Sequence, residues 1–198
     1  MYSRLSLAGL ILALAASTRA ETPVNDRARL LKEFSDRAAR YVELQRKAKA
    51  EVLPVPKKAE PEQIAAHQKA LAEAVRASRD GARQGDIFFP EVVPVFLGLL
   101  RSDLAGPDGH PAREAINDGN PRVEAPPARP AEPKPKEVTL LANAPYPEGA
   151  PLSMVPPDLL AELPKLPEPL EYRFVGGHLI LHDSEARLVV DYLKEVVP

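Results

Sequence analysis

Twenty-three prolines in 198 residues set the first limit on what this chain can fold into. Proline lacks an N–H and fixes φ, so long stretches of the chain can be neither helix nor central strand. The content is about twice the usual ~5%, and it is unevenly spread. Six prolines fall between Pro121 and Lys136, and eight between Pro145 and Pro169. Regular structure has to form around these two tracts.

The first twenty residues, MYSRLSLAGLILALAASTRA, carry a positive Arg4, an apolar run from Leu5 to Ala16, and small residues Thr18 and Ala20 at −3 and −1. That is the grammar of a secretory signal peptide, so export to the periplasm or the exterior is expected, with cleavage after Ala20. The apolar run of 12 residues falls short of the ~20 needed to span a bilayer, so no transmembrane span is expected after cleavage. With no cysteine anywhere, the chain has no disulfide, thiol nucleophile or thiolate metal site. Residues 21–86 hold 14 basic and 11 acidic groups, and residues 87–198 hold 10 and 17. Neither imbalance makes the basic stripe that a phosphate backbone requires, so nucleic acid is not an expected partner.

Apolar residues spaced three and four apart, Leu31, Phe34, Ala38, Tyr41, Ala48 and Val52, predict a charged helix over Asp26 to Glu51. After LPVPKKAEP a second helix is expected from Glu60 to Arg83, with the stripe Ile64, His67, Leu71, Val75 and Ser78 and a stop at Gly85. A short proline-containing turn between them predicts an antiparallel hairpin. Its stripes are thin and need another surface to cover them. The segment IFFPEVVPVFLGLL, Ile87 to Leu100, is the most apolar stretch after the leader. It reads as a third helix laid on the hairpin, or as a partner contact through Phe88, Phe89, Phe96 and Leu100. The loop that follows holds Asp108, Asp118 and Asn120 but lacks the spacing and closing glutamate of a calcium loop.

PRVEAPPARPAEPKPK, residues 121–136, reads as an extended, solvated linker. Its EPKPK ending is similar in composition to the spacers of TonB-like proteins. Beyond it, EVTLLAN is strand-like, and Pro157 to Leu163 is expected to form one short helical turn.

The stretch EYRFVGGHLILHDSEARLVVDYL packs two histidines and several acids around a diglycine. Gly176-Gly177 between alternating runs predicts a two-residue hairpin turn. That loop pairs Val175 with His178, Phe174 with Leu179, Arg173 with Ile180, Tyr172 with Leu181 and Glu171 with His182. One face then holds Leu170, Tyr172, Phe174, Leu179 and Leu181, which are all apolar. A second tight turn at Ser184-Glu185 predicts a third strand, with Arg187 opposite His182 and Asp191 opposite His178. Leu188, Val190 and Tyr192 would then join the apolar face. A helix over Glu185 to Val196, capped by Ser184, is the alternative; the β-branched RLVVDYL favours strand.

His178 and His182 are four apart, which on a helix would let them share a metal. On a strand they lie ~13 Å apart, too far for a common zinc. The candidate polar surface is therefore Glu171, His178, His182, Arg187 and Asp191, with no metal and no cofactor expected. Phosphate loops, nucleophile elbows and zinc-protease helices are missing from the sequence. Ser184 beside His182 and Asp183 does not make a triad, because strand neighbours point to opposite faces.

The C-terminal segment VPPDLLAELPKLPEPLEYRFVGGHLILHDSEARLVVDYL resembles the ends of uncharacterised exported bacterial proteins through its proline-rich approach, LEYR, LxLxD and closing VD. The resemblance implies export and transfers no catalytic residue. The expected fold is α+β: an α-helical region at 21–120, a linker at 121–136, and a small antiparallel β-meander within 137–198. The expected role is a non-enzymatic envelope protein that binds a protein or envelope component through Ile87–Leu100 or the sheet's edges. A metal- or carboxylate-dependent envelope hydrolase using Glu171, His178, His182 and Asp191, and a TonB-like spacer, are the alternatives.

Overall fold

The computed structural model describes residues 23–105, 109, 113, 114, 116, 140–146 and 153–196. The expected leader, the expected linker at 121–136, and Asp108, His110, Asp118 and Asn120 lie outside them. Helix α1 spans Pro23–Ala50 and buries Phe34, Ala38, Tyr41 and Ala48, the stripe the spacing predicts. Its outer side is laced by Lys32–Asp36, Glu33–Arg37 and Glu43–Arg46 pairs. Exposed pairs three or four apart add only ~0.2–0.5 kcal/mol each, so burial of the stripe decides how the helix is oriented.

Helix α2, Pro61–Ser78, starts with proline at a first-turn position and with the Glu60 amide donating to Gln63 Oε1 at 2.9 Å. It buries Leu71, Ala72 and Val75, whereas Ile64 stays 43% exposed and His67 is half-exposed. The first turns of the expected stripe therefore run past the core. The helix also ends at Ser78, short of the expected Arg83. Asn143 Nδ2 donates to the Arg79 carbonyl at 3.1 Å, and Arg76 Nε donates to the Asn143 carbonyl at 3.1 Å. A distant segment thus satisfies the end of the helix, which the local sequence does not announce. Near one end of α2, His67 Nδ1 meets the Leu53 carbonyl at 2.9 Å; near the other, the Arg79 guanidinium lies 5.1 Å from the Tyr41 ring. The two helices are therefore antiparallel.

Helix α3, Val93–Ala105, and the turn before it supply the centre of the core. Phe34, Phe88 and Phe96 form a ring cluster with centroids 4.7–5.4 Å apart. Phe88, Phe89, Phe96 and Leu100 are at most 4% exposed. The expected partner contact is corrected here, because hydrophobic burial has already spent these side chains inside the molecule.

Among the described residues five strands form one antiparallel sheet: β1 (Ala144–Pro145), β2 (Ser153–Met154), β3 (Leu170–Val175), β4 (His178–Asp183) and β5 (Leu188–Leu193), in the order β1-β5-β4-β3-β2. All five β3–β4 pairs expected from the diglycine are present, and Gly176 takes φ 57°. The third strand forms, but in another register. Asp183 Oδ1 accepts the amides of Glu185 and Ala186 at 2.9 and 2.8 Å, and Arg187 enters the left-handed region at φ 51°. The turn therefore spans the four residues 184–187, not two. A bulge between Leu181 and His182 then moves β5 by one further residue, so that Asp191 lies opposite Leu181.

The inner face of the sheet packs Tyr172, Phe174, Leu179, Leu181, Leu188 and Val190 into one cluster with the helices, as expected. Tyr192, expected with them, packs with Tyr146, Val175, Ile180 and Val189 on the other face. The short helix α4, Pro157–Glu162, buries Leu159 beside the inner face. Helices and sheet therefore share one core, and the proline tract at 121–136 does not separate two.

Candidate functional site

The five candidate polar residues do not converge. Asp191 is fully buried on the helical side. Its Oδ1 accepts the amides of Gly85 and Tyr192 at 2.9 and 2.8 Å, and its Oδ2 accepts those of Ile87 and Phe88 at 2.8 Å each. Gly85 has φ 93°, a conformation that turns its amide toward the carboxylate without strain only because it has no Cβ. Burial pushes the Asp191 carboxyl up and the four amides pull it back, leaving it above its ordinary range. This aspartate staples the 85–88 turn to the sheet. The expected pairing with His178 is corrected: the bulge rotates Asp191 inward, and His178 Nδ1 accepts the Glu195 amide at 2.9 Å instead.

Asp183 was not singled out in the sequence, yet it does similar work. Its Oδ2 accepts the Tyr41 hydroxyl at 2.6 Å, joining α1 to the sheet. Burial raises the Asp183 carboxyl, and burial followed by the charge of Asp183 raises the Tyr41 phenol. Its sequence signal was the turn chemistry of Asp-Ser-Glu, which suits an aspartate bonding amides two and three residues on.

On the outer face Glu171 and His182 do meet. Glu171 Oε1 accepts from His182 Nδ1 at 2.9 Å, and Oε2 accepts from Arg173 Nη2 at 2.7 Å. Arg187, expected in this row, is exposed in the turn, and Val189 takes its place opposite His182. Burial lowers the His182 imidazole, and the opposing pull of Glu171 does not restore it. Burial alone would raise Glu171, but hydrogen bonds from Arg173 and His182 hold it below its ordinary range. His182 is 3% exposed, its Nε2 is buried without a partner, and its ring stands edge-on to Tyr146 at 5.7 Å. A carboxylate-oriented imidazole can act as a base only where its second nitrogen reaches a substrate or nucleophile. Here that nitrogen is shut away. Among the described residues no group of three or more His, Asp or Glu is placed to hold a metal.

What the residues leave open is a groove of about 670 Å³ beside β3. Met154 and Leu160 stand on its walls 73% and 48% exposed, with Val155, Leu166, Leu170 and Tyr172 also lining it. Lys165, Glu171 and Arg173 supply its charged groups. No periodic signal announced it, because β2 and α4 are two and six residues long. A smaller hollow of about 380 Å³ lies at the hairpin tip, where Lys49 and Glu185 neutralise each other at 2.8 Å.

The architecture is an α+β domain with a helical layer on one face of an antiparallel sheet. The chain matches no protein-family model, no curated protein and no solved structure.

Proposed function

We propose that this chain is an exported binding protein of the cell envelope, and that its ligand surface is the groove between β2, α4 and β3. The observation that carries the reading is the pair of large apolar side chains, Met154 and Leu160, exposed on the walls of one 670 Å³ groove. Scattered exposed apolar groups are ordinary, but two flanking a concave apolar surface mark a binding site. The signal-peptide grammar of Met1–Ala20 supports export. The surfaces expected from the sequence are less suitable. Ile87–Leu100 lies largely in the core, and both edge strands are two residues long, with Pro145 inside β1, which opposes strand addition.

Nile red, an uncharged dye that brightens in apolar surroundings, tests the reading. The purified protein should bind one equivalent saturably, and Leu160→Asp should weaken that binding at least tenfold while leaving the thermal midpoint unchanged. Absence of saturable binding, or equal binding by the variant, overturns the reading.

A further inference from the structure

The charges around the groove are unbalanced in a way that selects a ligand. Three charged side chains line it: Lys165, Glu171 and Arg173. Glu171 is already engaged at both oxygens, by His182 and by Arg173. Arg173 spends one nitrogen on that bond, and its Nε is buried without a partner. Lys165 is exposed, and no ion pair reaches it among the described residues. The groove therefore combines an apolar lining with one exposed cation, Lys165, that lacks an anion, while Arg173 is already paired with Glu171. Its volume, about 670 Å³, falls in the ~300–1,000 Å³ range of small-molecule sites. A protein partner would need ~1,200–2,000 Å² of buried surface, far more than this hollow offers.

Resting on the binding reading above, we infer that the groove's ligand is a free single-chain carboxylate amphiphile. Its tail lies along Met154, Leu160 and Leu166, and its head sits at Lys165. The tail buries apolar surface that the protein leaves wet, and the head supplies the acceptor that Lys165 lacks. A cationic head would meet Lys165 as repulsion.

Displacement of Nile red by twelve-carbon amphiphiles, each below its micelle concentration, tests the inference. Laurate should displace the dye at a concentration at least tenfold lower than dodecyltrimethylammonium or dodecyl maltoside. Lys165→Glu, a substitution at an exposed position, should reduce that advantage to threefold or less. If Nile red binds but laurate lacks the tenfold advantage, or Lys165→Glu preserves it, the anionic-head assignment is overturned and the groove reading stands. A hydrophobic octapeptide with a free C-terminus that outcompetes laurate overturns the amphiphile in favour of a protein segment. If the dye never binds, the binding reading itself falls, and this inference falls with it.

Discussion

Replacing Asp191 with alanine removes the acceptor for four backbone amides. Three of them, from Ile87, Phe88 and Tyr192, sit in buried hydrogen bonds, so water cannot easily take over. An unsatisfied buried donor costs about 1–3 kcal/mol, giving about 3–9 kcal/mol for the three. An opposing effect acts on the same residue: burial outweighs the amides in the balance that raises its carboxyl, so alanine also relieves a desolvation penalty. The expected loss is therefore near the lower end, about 3 kcal/mol, a large share of the ~5–15 kcal/mol that holds a typical domain together. Asparagine keeps one acceptor oxygen and turns a donor toward the other amides, so Asp191→Asn should lose roughly 1–2 kcal/mol. Urea unfolding followed by far-UV circular dichroism measures both, since the chain has no tryptophan. An alanine variant within ~0.5 kcal/mol of the parent would refute the staple, because typical surface substitutions do no more than that.

Three further outcomes follow from the same contacts. Tyr41→Phe deletes the 2.6 Å bond to buried Asp183 and should cost about 1.5–3 kcal/mol in the same urea experiment. Phe96→Ala, at the centre of the ring cluster and fully buried, should cost about 3–5 kcal/mol, read from the urea midpoint at unchanged slope. Stability should fall with acid through the outer-face pair. His182 has its folded pKa below the ordinary 6.5, so its contribution is complete above about that pH and is lost as pH drops through it; Glu171, held below 4.5, loses its contribution further down. Asp183 and Asp191, raised above 3.8, act in the opposite sense. Comparing the pH profiles of the parent and His182→Phe isolates the histidine: the parent alone should begin to lose stability as pH falls below 6.5, and parallel profiles would refute its part.

How much of this was legible in the sequence varied with how local the cause was. Two glycines fixed the β3–β4 register because a two-residue turn leaves no other pairing, and the alternation on either side agreed with it. The α1 stripe was equally plain, since Phe34, Ala38 and Tyr41 lie on one helical face. The β5 register was not, because it depends on where one carboxylate finds its amides. Asp183 captured two of them and doubled the turn, and the bulge then exchanged Asp191 and Tyr192 between faces. Nothing near Asp191 in sequence says that amides a hundred residues away need an acceptor. The histidine and acid density that suggested a site was real, yet His178, Asp183 and Asp191 serve the backbone. The groove arose instead from short elements with no period to read, where Met154 and Leu160 looked like any other apolar residues.

Methionine offers the most direct test of the binding account. The chain holds two, Met1 and Met154, and the first lies in the segment proposed to be cleaved. With Met1–Ala20 removed, a methyl-¹³C methionine spectrum therefore reports from the groove wall alone. Titration with laurate should shift that single resonance progressively to saturation at one equivalent, and Lys165→Glu should require at least several-fold more ligand. A Met154 methyl signal that stays in place as laurate is added would contradict the assignment of this groove as the ligand surface.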